Sequence, residues 1–148
     1  MIFYGHYRIH EGAFRPFITG YIRRGNGKWV KCSFLLDSGA DETFLHYRSI
    51  GILGIDISRI EVRDDVGGIG GYGVPYFRHP IDLKLVSAEG NAIFSGDVNV
   101  FLDPHATRFP ILGRDVLDHF TVLFDRAREQ ILLLKRPDTY QIVKINDI

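Results

Sequence analysis

Apolar and polar residues alternate along much of this chain with the two-residue period of extended backbone, and turn-forming residues recur at short intervals. Ile81, Leu83 and Leu85 alternate with Asp82 and Lys84, the pattern of a strand with one buried face. Phe17 to Arg24 and Lys28 to Leu36 read as two strands flanking Gly25-Asn26-Gly27, whose Asn-Gly pair is a strong hairpin signal. Ile57 to Val66 and Val74 to Val86 form a second extended pair around a glycine cluster, and Ser87 to Asn91 turns the chain into Ala92 to Leu102. Val116, Leu117 and Phe120 share a face only on a helix, which predicts one short helix near the C-terminus, from Arg114 to about Phe120. Thr121 to Asp125 and Gln130 to Lys135 then form a hairpin around Arg126 to Glu129. Beyond Pro137, Tyr140 to Ile145 is expected to be a terminal strand or arm. The prediction is an all-β fold in which residues 1–148 make a single domain, without repeats or linkers.

Composition narrows the picture modestly. A hydrophobic fraction of 45% with 24% charged residues suits a soluble globular chain. Lys plus Arg and Asp plus Glu number 18 each, so no net charge draws the chain to nucleic acid or an anionic membrane, and neither is expected as a partner. Cys32 is the only cysteine, which excludes an intrachain disulfide and agrees with a reducing compartment. The first residues, MIFYGHYRIHEG, lack the unbroken apolar stretch of a secretion signal, and no run is long enough to cross a bilayer. The expected location is cytoplasmic.

Candidate chemistry centres on Phe34-Leu35-Leu36-Asp37-Ser38-Gly39-Ala40-Asp41-Glu42-Thr43. An apolar strand carries an aspartate to its end, followed at once by a small hydroxyl residue and a glycine. A carboxylate at the base of a cleft needs such a setting, because Gly39 lets other backbone approach closely and Ser38 can hydrogen-bond across to a partner loop. The alternative is a strand-terminating turn in which Asp37 and Ser38 cap local backbone. About 30 residues later comes Val66-Gly67-Gly68-Ile69-Gly70-Gly71-Tyr72-Gly73. It contains a G-x-G-x-x-G string, but Val74-Pro75-Tyr76-Phe77 follows where a dinucleotide site needs a helix. A glycine-rich hairpin tip is better read as a flap with Ile69 at its apolar point. A third segment, Phe109-Pro110-Ile111-Leu112-Gly113-Arg114-Asp115, runs from an apolar strand end through a glycine into the expected helix.

Taken in order, these segments resemble the retroviral aspartic proteases, the retropepsin family, from about Phe17 to Phe120. Leu35-Leu36-Asp37-Ser38-Gly39-Ala40-Asp41 is similar to the family's active-site loop, Gly67 to Gly71 to its flap, and Ile111-Leu112-Gly113-Arg114 to the segment before its helix. The resemblance implies a retropepsin-like acid protease β-barrel. It implies Asp37 as the catalytic aspartate with Ser38 and Gly39 as its positioning neighbours. Ala40, Asp41 and Glu42 would line the cleft, with Asp41 also pairing with Arg114. Leu35, Phe44, Phe109 and Ile111 would form side-chain pockets, and Gly67, Gly68 and Ile69 would close over the substrate. Phe44 and Phe109 are larger than the residues usual in viral relatives. The stretch from Phe124 to Leu134 is more similar to retroviral-protease-like domains of cellular proteins, so the dimer-forming strands are expected to differ from the viral terminal sheet.

The chemistry implied is peptide-bond hydrolysis by a water held between two carboxylates that share a proton. The chain has one Asp-Ser-Gly motif, so the second Asp37 must come from a second copy across a two-fold axis. The expected partners are a second copy of the chain and a peptide or protein substrate, with no cofactor and no metal. The alternative is a catalytically silent peptide-binding or dimerisation module on the same fold, which would need neither the motif nor the flap. His6 and His10 have metal-ligand spacing only on a helix, whereas Tyr7-Arg8-Ile9 between them reads as extended. Cys32 and Trp29 read as core residues.

Overall fold

The computed structural model describes residues 1–67 and 73–135, with the backbone alone for 64–67. Its strands are β1 (Ile2–His10), β2 (Ala13–Arg23), β3 (Trp29–Leu36), β4 (Phe44–Leu45), β5 (Arg63–Gly67), β6 (Gly73–Ser87), β7 (Gly90–Phe101), β8 (Ile111–Leu112), β9 (Thr121–Asp125) and β10 (Gln130–Leu134). Two short helices, α1 (Ser49–Leu53) and α2 (Arg114–Leu117), lie between strands. The strands form one ten-stranded sheet in the order β5-β6-β7-β4-β8-β3-β2-β1-β10-β9. A further pairing of β2 with β6, through Tyr21↔Lys84 and Ile22↔Leu83, curls the sheet into a barrel. The expected all-β barrel is therefore the observed architecture.

Side-chain alternation gives the sheet two unlike faces. Phe3 of β1, Ile18 and Ile22 of β2, Phe34 and Leu36 of β3, and Ile131 and Leu133 of β10 turn inward, where they join Leu45, Phe77, Leu83 and Val100 in the main core. Gly20 faces that core because Phe34 fills the space a side chain would take, with its ring 3.0 Å from an added Cβ. On the opposite face, Phe17 and Leu35 stand as cross-strand partners beside Ile111, outside the main core.

The hairpins fall where the turn chemistry places them. Arg24 and Lys28 close the β2–β3 turn, and Asn26 Oδ1 accepts from the Lys28 N–H at 3.0 Å. Strand β2 starts earlier than expected, because β1 pairs with it through His10↔Ala13. The helix at Arg114 is shorter than its apolar spacing suggests. After Leu117 the chain tightens, with His119 N–H donating to Val116 O and Phe120 N–H to Leu117 O.

Other features also differ from the sequence reading. The run expected to be extended from Ile57 begins instead as a 3-10 turn, Ile57–Arg59, because Asp56 accepts from both the N–H and the hydroxyl of Ser58. Helix α1 was not foreseen: it contains Gly51, has no side-chain cap, and stops at Gly54, where φ is 67°. Its formation rests on burying Leu53 with Ile50 and Ile52 against the core. The expected terminal arm, Tyr140 to Ile145, lies outside the described residues. No helix among the described residues is long and apolar enough to cross a membrane.

Candidate active site

Strand β3 ends at Leu36, and Asp37 is the first residue beyond it. The strand pairs in parallel with β8, through Leu35↔Ile111 and Leu36↔Leu112. Hydrogen bonds continue that pairing past its end: Leu35 N–H donates to Pro110 O at 2.9 Å, and Asp37 N–H to Leu112 O at 3.1 Å. Farther along, Arg114 N–H donates to Ala40 O at 2.9 Å and Asp115 N–H to Asp41 O at 3.1 Å. The loop that carries Asp37 is thus tied by backbone on both sides to one segment, Pro110 to Asp115.

Within the loop, Gly39 N–H donates to Asp37 Oδ1 at 2.9 Å and Ala40 N–H to Asp37 O at 3.2 Å. The first bond orients the Asp37 carboxylate and the second tightens the backbone turn, while Asp37 stays half-buried next to exposed Ser38 and Gly39. Among the described residues, Ser38 makes no side-chain hydrogen bond.

Neither a protein-family model nor a curated protein sequence matches the chain. The crystal structure of a retropepsin-like aspartic protease from Rickettsia conorii does match its fold, with a TM-score of 0.59 and 18% identity over 90% of this chain and 91% of that one. The chain has the retropepsin-like fold. EIAV protease complexed with the inhibitor HBY-793 also matches, with a TM-score of 0.49 and 26% identity over 75% of this chain and 92% of that one. The fold assignment rests on the rickettsial structure.

Within this retropepsin-like fold the structure brings most of the sequence-selected residues together. Leu35 and Ile111 are register partners. Phe109 packs edge-on against Phe17 at 4.9 Å between centroids, so its ring joins the Leu35 side of the sheet. Phe44 is paired with Ile111 by register and stacks on Phe101 at 4.7 Å, with Tyr76 edge-on at 5.7 Å. Asp41 forms an ion pair with Arg114, as the resemblance implies. Gly67 is the last residue of β5, paired with Gly73, while Gly68 and Ile69 lie outside the described residues.

Glu42 has partners that the sequence reading did not name. Its carboxylate accepts from Arg78 at 2.7 Å and from Asn99 Nδ2 at 2.8 Å. Asn99 is fully buried on β7, and its N–H donates to Thr43 O at 3.0 Å. The hydrogen bond from Asn99 is the largest influence holding the Glu42 carboxyl below the usual glutamate value; desolvation opposes it and Arg78 adds to it. A lone asparagine in the apolar run Val98-Asn99-Val100 was the available signal, since such a residue needs a buried partner.

Thr43 was missed as well. It is fully buried, its hydroxyl donates to Asp115 Oδ1 at 2.7 Å, and its N–H donates to Asp115 Oδ2 at 2.9 Å. The same hydroxyl accepts from Gly113 N–H at 3.1 Å. One side chain therefore joins the end of the Asp37 loop to the start of α2. Cys32 behaves as a half-buried structural residue, its thiol pushed up to about 11 by burial.

Two measurements test this network. Thr43→Val should leave the Gly113 N–H without its acceptor and Asp115 Oδ1 with only the Val116 N–H, and cost about 1–3 kcal/mol of stability, read as a lower urea midpoint. A midpoint equal to wild type would show that the Thr43–Asp115 contact does not hold the loop. Because the folded-state value of Glu42 is depressed, this carboxylate stabilises the fold above the ordinary value of 4.5, and the contribution disappears as pH falls through the depressed value. Glu42→Gln should therefore be less stable than wild type at neutral pH, with the gap closing below pH 4.5. A gap independent of pH would contradict the Arg78–Asn99 pairing.

Proposed function

We propose that this chain is an aspartic endopeptidase that works as a homodimer, with residues 1–148 forming one protease domain and Asp37 of each copy supplying half of a catalytic dyad. The observation that carries the reading is the Asp37 loop. It is a carboxylate at a strand end, oriented by the Gly39 N–H and left accessible, on a loop tied at both flanks to Pro110–Asp115. The Asp-Ser-Gly sequence and the retropepsin-like fold support the same reading.

In the dimer, two carboxylates close together cannot both ionise cheaply, so the pair keeps one proton. The ionised member takes a proton from the bound water as its oxygen attacks the peptide carbonyl. The protonated member hydrogen-bonds the carbonyl oxygen and stabilises the charge that develops there. Collapse of the tetrahedral intermediate breaks the C–N bond, and the departing nitrogen receives a proton from the dyad, giving a free carboxyl and a free amine. Ser38 and Gly39 position the carboxylate. Leu35, Phe44, Phe109 and Ile111 accept substrate side chains, Ala40, Asp41 and Glu42 line the cleft, and Gly67, Gly68 and Ile69 cover the bound peptide.

The substrate is an extended peptide or protein segment, and a reducing compartment such as the cytoplasm suits a chain whose one cysteine is a half-buried thiol. Asp37→Asn should lower peptide cleavage by about 10²–10⁴-fold, assayed over a peptide library from about pH 4 to 7, with an unchanged thermal melt. A folded Asp37→Asn protein that cleaves at the wild-type rate would remove Asp37 from the chemistry. A wild-type dimer that cleaves no peptide in the library would favour a silent peptide-binding module.

A further inference from the structure

Net neutrality hides an uneven distribution of charge. Between Glu11 and Asp37 the chain has no carboxylate but five cations, Arg15, Arg23, Arg24, Lys28 and Lys31. Most of this stretch is the β2–β3 hairpin, whose side chains the sheet sorts by face. Ile18, Ile22 and Phe34 enter the core, so Tyr21 and Arg23 of β2, with Trp29 and Lys31 of β3, point outward. Trp29, expected as a core residue, stands instead on this outer face, outside the main core.

The register lays these residues out in rows. Lys31, Tyr21 and Lys84 are neighbours across β3, β2 and β6, and Trp29 pairs with Arg23 one row farther on. Lys84 Nζ lies 4.3 Å from the Trp29 ring centroid and 5.3 Å from that of Tyr21. Basic side chains are thus interleaved with two half-buried rings. Arg23 is engaged, its guanidinium 3.4 Å from Asp82, which also accepts from the Ser95 hydroxyl at 2.6 Å. Arg24, Lys28, Lys31 and Lys84 have no carboxylate partner among the described residues. The positive field extends along the face to His6, which is held below its ordinary value first by burial and then by Arg8 and Lys31.

Cations without counter-charge, set around aromatic rings, call for a ligand that brings both anions and flat faces. An acidic polypeptide would match the charge but leave Trp29 and Tyr21 unused. A duplex would match the charge but keeps its bases stacked inside. Single-stranded nucleic acid supplies phosphates for the cations and open bases for the rings. We propose that the outer face of β3, β2 and β6 binds single-stranded nucleic acid. Arg24, Lys28, Lys31 and Lys84 contact phosphates, and Trp29 and Tyr21 stack on bases. Lys84 leaves the Trp29 ring for a phosphate, which opens that ring to a base. Trp29 stands at the opposite end of β3 from Asp37, so the inference does not depend on the peptidase reading.

Trp29 is the only tryptophan, so its fluorescence reports on this face directly. Titrating the full chain with oligo-dT of about 16 nucleotides at about 50 mM salt should quench that emission. Affinity should fall as salt rises, with a log–log slope of about −0.7 for each phosphate bound. Lys31→Glu and Lys84→Glu should each weaken binding at least about tenfold and flatten the slope, with unchanged circular dichroism. Trp29→Ala, followed by the anisotropy of a labelled oligo-dT, should weaken binding about tenfold and leave the slope alone. Arg128→Glu, the same change of charge on the turn between β9 and β10, should bind as wild type. No binding at this salt, or binding that neither lysine variant weakens, would overturn the assignment. Equal affinity for a poly-glutamate peptide or a duplex would overturn it as well.

Discussion

At Gly113 the chain passes so close to Glu42 that an added Cβ would stand 2.4 Å from its carbonyl carbon and oxygen. No side chain fits there, and the close approach lets the Gly113 N–H reach Thr43 Oγ1 and the next two N–H groups reach Ala40 and Asp41. The position of Asp37 depends on this crossing. A loop held only at its ends would sample many orientations, whereas one bonded along its length to Pro110–Asp115 presents its carboxylate in one. Asp115 completes the crossing by accepting from Thr43 and from Val116 N–H, so the start of α2 and the end of the loop form one unit. Preorganisation of this kind lets a short polar loop on a β-barrel hold a reacting group.

A second consequence concerns the two faces of the sheet. The inner face builds a conventional apolar core, while the outer face near Asp37 is also lined by apolar residues, with Phe17 wholly buried under Phe109, His6 and Arg8. This second cluster lies outside the main core and borders the candidate cleft. It provides an apolar wall next to a carboxylate, the pairing of dry and polar surface that extended peptides require.

Much of this was legible in the sequence because its signals are local. Asn26-Gly27 marked the first hairpin, the alternation from Ile81 to Leu85 marked β6, and Leu35 to Asp41 marked the loop. The Asp41–Arg114 pair followed from the resemblance and is present. The contacts that went unread join residues far apart in the chain, as Thr43 with Asp115 and Glu42 with Arg78 and Asn99. Helix α1 escaped because five residues including a glycine carry too little periodicity to register. Strand β1 was legible only at Tyr7-Arg8-Ile9, because Tyr4, His6 and Arg8 lie along an outer face that is neither plainly polar nor plainly apolar.

The central claim is that one chain holds half of a catalytic site. Mixing wild-type chains with an equal amount of Asp37→Asn chains, at a concentration where the protein is dimeric and the copies exchange, tests it directly. Random pairing leaves about a quarter of the dimers with two native carboxylates, so activity should fall to roughly half that of the wild-type chains alone. Activity unchanged by the added variant, under conditions where mixed dimers are shown to form, would contradict a shared dyad.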